Sequence, residues 1–320
     1  MTASLPEVIK LEPFGCEIRS VDFTQDLSPE VQAAIHTAFV ENGIVLVREG
    51  IPDNDAHMRL SHCFGEPQPA VTKKLNSNEN PYMMMLDFDP AKNPANTYEV
   101  DGKRLNHWLG WHWDQAFVPE IVRGACLRST MPAREGGVTG WIYGGQAYDR
   151  LSPALRARIE GLDVVYKFQG AQEKNPFGYP WDVKSVNRSA EQLASLEKYD
   201  AAFPAVVHPL VITLPETGRK ILNLSPMHAR YVLGVDESES ADLLTELGDV
   251  LTDERYAYFH KWAANDVVAW DNWATVHMAC GIPEGVSRGA RRTTISGDYR
   301  LGRYLDASLD AASYRERLPD

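Results

Sequence analysis

Residues 267–298 read VVAWDNWATVHMACGIPEGVSRGARRTTISGD. A short apolar run, VVAW at 267–270, has the texture of a buried strand. It enters a turn marked by Asp271-Asn272, and His277 follows. A second β-type run, RRTTISGDYRL at 291–301, closes the segment. β-Branched and aromatic residues punctuated by Gly and Pro favour strands separated by turns. The same texture extends outward: 106–145 is strand-rich, and AVVHPLVITL (205–214) and RKILNLS (219–225) follow it. Helical punctuation lies before and between these runs. Ser28-Pro29-Glu30 opens a helix with an N-cap hydroxyl and an early proline. Val31, Ile35, Ala38 and Phe39 form its apolar stripe, and Asn42-Gly43 ends it. IVLVRE (44–49) then reads as a buried strand. Asp53 caps a second helix that runs through His57, Leu60 and Phe64 to Gly65. Further helices are expected at LSPALRARIEG (151–161), SAEQLASLEKY (189–199) and 237–251. The pattern predicts a mainly β fold with flanking helices around a jelly-roll core.

Without a linker-like stretch, 1–320 reads as one domain. Residues 1–105 read as an α/β part with a long loop of the kind that is often functional, and 106–320 as the core with helical insertions. Within the first part, 66–105 reads as a long loop holding one strand, around Tyr82-Met83-Met84-Met85-Leu86. The net charge of −12 repels phosphate backbones and argues against nucleic acid. No run approaches the ~20 apolar residues of a membrane helix, and the N-terminus lacks a secretory pattern. Cys16, Cys63, Cys126 and Cys280 form no CxxC pair and read as reduced thiols of a cytoplasmic protein.

The chemistry concentrates in WLGWHWDQAF (108–117). On a strand, His112 and Asp114 point to one face and Trp113 to the other. His277 is a candidate third ligand. Two histidines and one carboxylate with open positions suit non-haem Fe(II) oxygen chemistry, and they also suit catalytic zinc. Arg288 and Arg292 are forks able to grip a carboxylate in a dry pocket. Thr139 can add a hydroxyl hydrogen bond to it. A keto diacid needs such a grip at its far end. Arg291, between the two arginines, is expected to face away.

In these features, and in FGCEIRSVDF, GIVLVREG, GGVTGWIYGGQAYDRLSP, TGRKILNLSPMHA and FHKWAANDVVAWDN in that order, the chain resembles the TauD/TfdA family of Fe(II)/2-oxoglutarate-dependent dioxygenases. The resemblance implies a double-stranded β-helix, with His112, Asp114 and His277 as iron ligands. It implies that Thr139 and Arg288 hold the 2-oxoglutarate C5 carboxylate, and that Arg292 binds either an anionic substrate or the cosubstrate. The implied cosubstrates are 2-oxoglutarate and O2, and the implied products are succinate, CO2 and a hydroxylated small molecule. Dimers or tetramers are implied as well. Taurine-binding members resemble one another in an amide four residues before the first ligand, where this chain has Trp108. Trp108, Trp111, Tyr82, Met83, Met85 and Phe117 are therefore read as walls of a larger apolar or aromatic pocket, with Arg292 and His228 as its polar grip. The expected substrate is an organic anion with an apolar or aromatic body. Two other classes stay open: a zinc hydrolase on the same three ligands, and a non-catalytic 2-oxoglutarate-binding protein.

Overall fold

The computed structural model describes residues 5–48, 50–69, 77–92, 96–175, 177, 180–298 and 300–310. Among these, two sheets carry the architecture. One has the order Glu7–Lys10, Cys16–Arg19, Ile44–Val47, Val267–Asp271, Gly124–Met131, Gly289–Ile295 and Pro67–Gln68, with Met83–Met85 also paired to Gly289–Ile295. The other runs Val183–Ser185, Thr97–Val100, Lys103–His112, Thr275–Pro283, Thr139–Tyr143 and Tyr258–His260. Their inner faces enclose the main core, which holds Trp111, Trp113, Trp141 and Trp270. The fold is mainly β with flanking helices, as the sequence predicts, and neither sheet closes on itself into a barrel.

The local signals act as expected at several points. Ser28 Oγ accepts from the Val31 N–H, Pro29 opens the helix Pro29–Asn42, and Gly43 ends it at φ 75°. Asp53 accepts from the Ala56 N–H and starts Asn54–His62. Both helices pack on the outer face of the first sheet, in a second core with Ile35, Phe39, Leu60 and Phe64. Ile44–Val47 is fully buried because it is flanked on both sides, parallel to Cys16–Arg19 and antiparallel to Val267–Asp271. The N-terminal part thus builds into the same sheet as the C-terminal strands.

The long loop expected over 66–105 is corrected. Pro67–Gln68, Met83–Met85 and Thr97–Val100 are strands, while 70–76 and 93–95 lie outside the described residues. Thr97–Val100 forms a hairpin with Lys103–His112, with Val100 opposite Lys103. Asp101 and Gly102 turn it at φ 48° and 76°. Asp-Gly is a two-residue hairpin signal, because both positions need positive φ. The polar composition around it masks the signal. No helix of the described residues is long and apolar enough to cross a membrane.

Candidate active site

His112 ends its strand, and His277 is the third residue of Thr275–Pro283. The two are direct cross-strand partners, with ring centroids 4.2 Å apart. Asp114 lies beyond the strand end, in a turn that continues through Gln115 at φ 62°. Strand alternation alone therefore does not place it. Asn272 does: its Oδ1 accepts from the Asp114 N–H at 2.6 Å, and its Nδ2 donates to the Asp114 carbonyl at 3.2 Å. One amide grips both backbone groups of the carboxylate residue. Asp114 Oδ1 then stands 4.0 Å from His112 Nε2 and 3.7 Å from His277 Nε2. Ligand atoms of all three residues lie within 4.8 Å of one another, and all three residues are buried. Trp113 faces away, packed edge-on against Tyr166 and His208.

The protonation states suit a metal. The His112 Nδ1–H donates to the Gly110 carbonyl at 2.7 Å, leaving the Nε2 lone pair free. Burial lowers the pKa of both imidazoles, so they are neutral. Burial alone would raise the Asp114 carboxyl, but Arg292 and the imidazoles outweigh it and hold it at about 2. Arg292 Nη2 donates to Asp114 Oδ2 at 2.6 Å, so Oδ1 is the oxygen presented to the imidazoles. Two neutral nitrogens and one carboxylate oxygen form a facial set with room for other ligands.

Removing the Asn272 clamp tests its contribution. Outer partners of metal ligands are typically worth 10–100-fold in metal affinity. Asn272→Ala is expected to weaken Fe(II) binding by about 10-fold in an anaerobic titration. An unchanged affinity would show that the turn holds Asp114 unaided.

Two cavities meet at this centre and share Leu109, His112, Asp114 and Arg292. One, of about 330 Å³, reaches Thr139 and Arg288 and is walled by Trp108, Trp270 and His277. Among the described residues, no carboxylate lies within salt-bridge distance of Arg288, and its buried Nε has no partner. Burial lowers the pKa of this guanidinium. The other cavity, of about 370 Å³, is walled by Phe117, Phe168, Tyr199, Phe203, Met84 and Met227. Its polar groups include Arg292 and His228. His228 Nδ1 accepts from the Gln169 N–H at 3.2 Å, which leaves the ring hydrogen on Nε2. Burial keeps this histidine neutral.

Several expected pocket residues are corrected by strand geometry. Met84 lies opposite Arg292 and shares its face. Met83 is opposite Thr293, is fully buried on the other face and misses the cavity. Met85 is opposite Arg291 and is exposed. Tyr82 is exposed too. Trp111 packs in the core near Phe259 and lines neither cavity. Trp108 lies in the Arg288 cavity rather than the aromatic one and stacks edge-on with Trp181. Phe117 and His228 line the aromatic cavity, 4.9 Å apart. Arg291 turns outward, as expected, onto Asp87 at 2.6 Å.

Sequence reasoning missed the wall given by the helix Ala190–Ala202. Ser195, Leu196 and Tyr199 line the cavity, although no residue of that helix is buried. Their spacing places them on one helical face, a signal present in SAEQLASLEKY.

Residues 7–294 match the family described as "Taurine catabolism dioxygenase TauD, TfdA family". The chain is 33% identical over 196 residues to an (S)-phenoxypropionate/alpha-ketoglutarate-dioxygenase of Sphingobium herbicidovorans, covering 61% of this chain and 65% of that one. It is 26% identical over 311 residues to an alpha-ketoglutarate-dependent sulfate ester dioxygenase of Pseudomonas putida, covering 94% of each. The crystal structure of a putative alpha-ketoglutarate-dependent taurine dioxygenase from Burkholderia xenovorans superposes with a TM-score of 0.73 at 26% identity. That match spans 98% of this chain and 100% of the other. The convergent His-Asp-His set and these likenesses lead to one conclusion: the chain belongs to the TauD/TfdA family of Fe(II)- and 2-oxoglutarate-dependent dioxygenases.

Proposed function

We propose that this enzyme hydroxylates a C–H bond of a small organic anion with an apolar or aromatic body, with release of succinate and CO2. The observation that carries the reading is the Arg288 guanidinium, which lines the cavity with its Nε buried and unpartnered and with no carboxylate in salt-bridge range among the described residues. A buried cation without a counter-ion is costly and calls for an anion from outside the chain. Thr139, in the same cavity, adds a hydroxyl. Together they suit the C5 carboxylate of 2-oxoglutarate, while His112, Asp114 and His277 hold Fe(II).

When bound, the iron supplies O2 activation coupled to oxidative decarboxylation of the keto acid. The chain's own residues orient and exclude. His112 and His277 offer Nε2, Asp114 offers Oδ1, and Arg292 keeps Oδ2 engaged. The aromatic cavity displaces water from an apolar substrate body. Arg292 grips its anionic end, with the His228 Nε2–H as a further donor. Relatives named for phenoxypropionate and for sulfate esters support an anion with such a body. Family membership sets aside the zinc hydrolase and the non-catalytic binder.

In this reading 1–320 acts as one catalytic domain, as a dimer or tetramer on family grounds, without a nucleic-acid or membrane partner. A cytoplasmic setting fits four free cysteines whose thiols burial pushes up to about 12.

Succinate release tests the proposal, using purified enzyme with Fe(II), 2-oxoglutarate and O2. The panel holds aryloxy acids, alkyl and aryl sulfates, and taurine. An apolar or aromatic anion is expected to raise succinate release at least about 10-fold above the substrate-free rate. Turnover of taurine alone would overturn the substrate class. Absence of succinate with every substrate would overturn the reaction.

A further inference from the structure

Thr139 opens the strand Thr139–Tyr143 and faces the same cavity as Arg288. Among the described residues its hydroxyl makes one hydrogen bond: the indole N–H of Trp262 donates to Oγ1 at 3.0 Å. An indole N–H can only donate, whereas a hydroxyl has one hydrogen and two lone pairs. Trp262 therefore fills a lone pair of Thr139, and the hydroxyl hydrogen is left for another acceptor. The Arg288 guanidinium, which lines the same cavity, is donor-only and cannot be that acceptor. Both groups line the one cavity, so the chain offers it two donors of different kinds, a set complementary to a carboxylate. Trp262 is itself held by packing, edge-on to His260 with centroids 4.6 Å apart and 6.4 Å from the ring of Trp141.

We infer that Trp262 is a positioning residue for the cosubstrate: by donating to Thr139 Oγ1, it commits that hydroxyl to donate to the distal carboxylate and so favours keto diacids over keto monoacids. The inference rests on the proposed grip of Thr139 and Arg288 on 2-oxoglutarate. It differs from simple ring packing in one respect: its effect passes through a single hydroxyl and is felt only by ligands that carry the distal carboxylate.

The test is a double-mutant cycle read by calorimetric binding to the Mn(II)-loaded protein, with 2-oxoglutarate and 2-oxopentanoate as ligands. The second ligand has a methyl group where the first has a carboxylate. Trp262→Phe removes the N–H and keeps an aromatic ring; it is expected to weaken 2-oxoglutarate binding about 5-fold, the scale of one hydrogen bond. Thr139→Val is expected to weaken it about 10-fold, and the double variant no further than Thr139→Val alone. Binding of 2-oxopentanoate is expected to stay within about 2-fold throughout. Equal weakening of both ligands by Trp262→Phe, or full additivity with Thr139→Val, would overturn the inference and leave Trp262 a packing residue. If Thr139→Val weakens 2-oxoglutarate binding and Trp262→Phe does not, this inference fails alone. If Thr139→Val has no effect on 2-oxoglutarate, the cosubstrate grip itself fails. Should Trp262→Phe lower the unfolding temperature enough to disturb the measurement, benzothienylalanine at position 262 replaces it. That residue keeps the indole shape without the N–H, and the same outcomes apply.

Discussion

Asp114→Ala is expected to lower succinate release by at least about 1,000-fold. The carboxylate has two tasks that no neighbour can take over. Its Oδ1 is the only acidic ligand atom in the His-Asp-His set, and its Oδ2 is the acceptor for Arg292. Loss of an outer partner of a metal ligand costs 10–100-fold in affinity, so loss of the ligand itself should exceed about 100-fold in an anaerobic Fe(II) titration. The variant also leaves the Arg292 guanidinium, largely buried against Trp270 at 5.1 Å, without its carboxylate. Breaking a buried pair from one side costs about 3–5 kcal/mol, and a lower unfolding temperature is expected for the metal-free protein. Asp114→Asn separates the two effects. It keeps volume and an oxygen near Arg292, so stability should recover partly while iron affinity and turnover stay low. An alanine variant that keeps more than a tenth of the wild-type rate would show that this carboxylate is not an iron ligand.

The metal set was legible in the sequence because its parts sit near strong local signals. His112 and His277 flank recognisable strand and turn patterns, and the pairing of Lys103–His112 with Thr275–Pro283 sets them opposite each other. Asp114 was legible for a partly mistaken reason. Two-residue alternation suggests a shared strand, yet the strand ends at His112, and a side chain from Asn272, 158 residues away, fixes the carboxylate. No local pattern encodes such a clamp. The substrate wall was the least legible part. In the run Tyr82 to Leu86 nothing local says which methionine faces inward. The register against Gly289–Ile295 decides it, and it puts Met84 beside Arg292. Pairing register is a tertiary property, so a reading that chose Met83 and Met85 by residue type alone selected the two neighbours that alternation turns away. The hairpin at Asp101-Gly102 is a different case, since its turn signal was present but lay within polar sequence that resembles a loop.

The same logic of an unpaired charge makes Arg288 the most informative position after Asp114, because two measurable effects of opposite sign should appear together. Without a ligand, the guanidinium carries the desolvation penalty of burial with no carboxylate in salt-bridge range among the described residues. Arg288→Met keeps an extended apolar stem and deletes the charge. Replacing buried ionic groups by apolar side chains of similar volume is often neutral or stabilising by about 1–4 kcal/mol. The metal-loaded variant without 2-oxoglutarate is therefore expected to unfold at the wild-type temperature or a few degrees above it. Adding the keto diacid should reverse the order. Truncating one side of a buried, hydrogen-bonded charge pair costs about 2–5 kcal/mol, so the apparent affinity for 2-oxoglutarate should fall by roughly 30-fold or more. At a concentration 100 times the wild-type dissociation constant, the ligand stabilises wild type by about 2.7 kcal/mol, and it should stabilise the variant by well under half of that. Thermal unfolding with and without 2-oxoglutarate measures both effects in one experiment. A variant that is destabilised without ligand yet keeps the full ligand-induced shift would mean that Arg288 serves packing, and that another group holds the distal carboxylate.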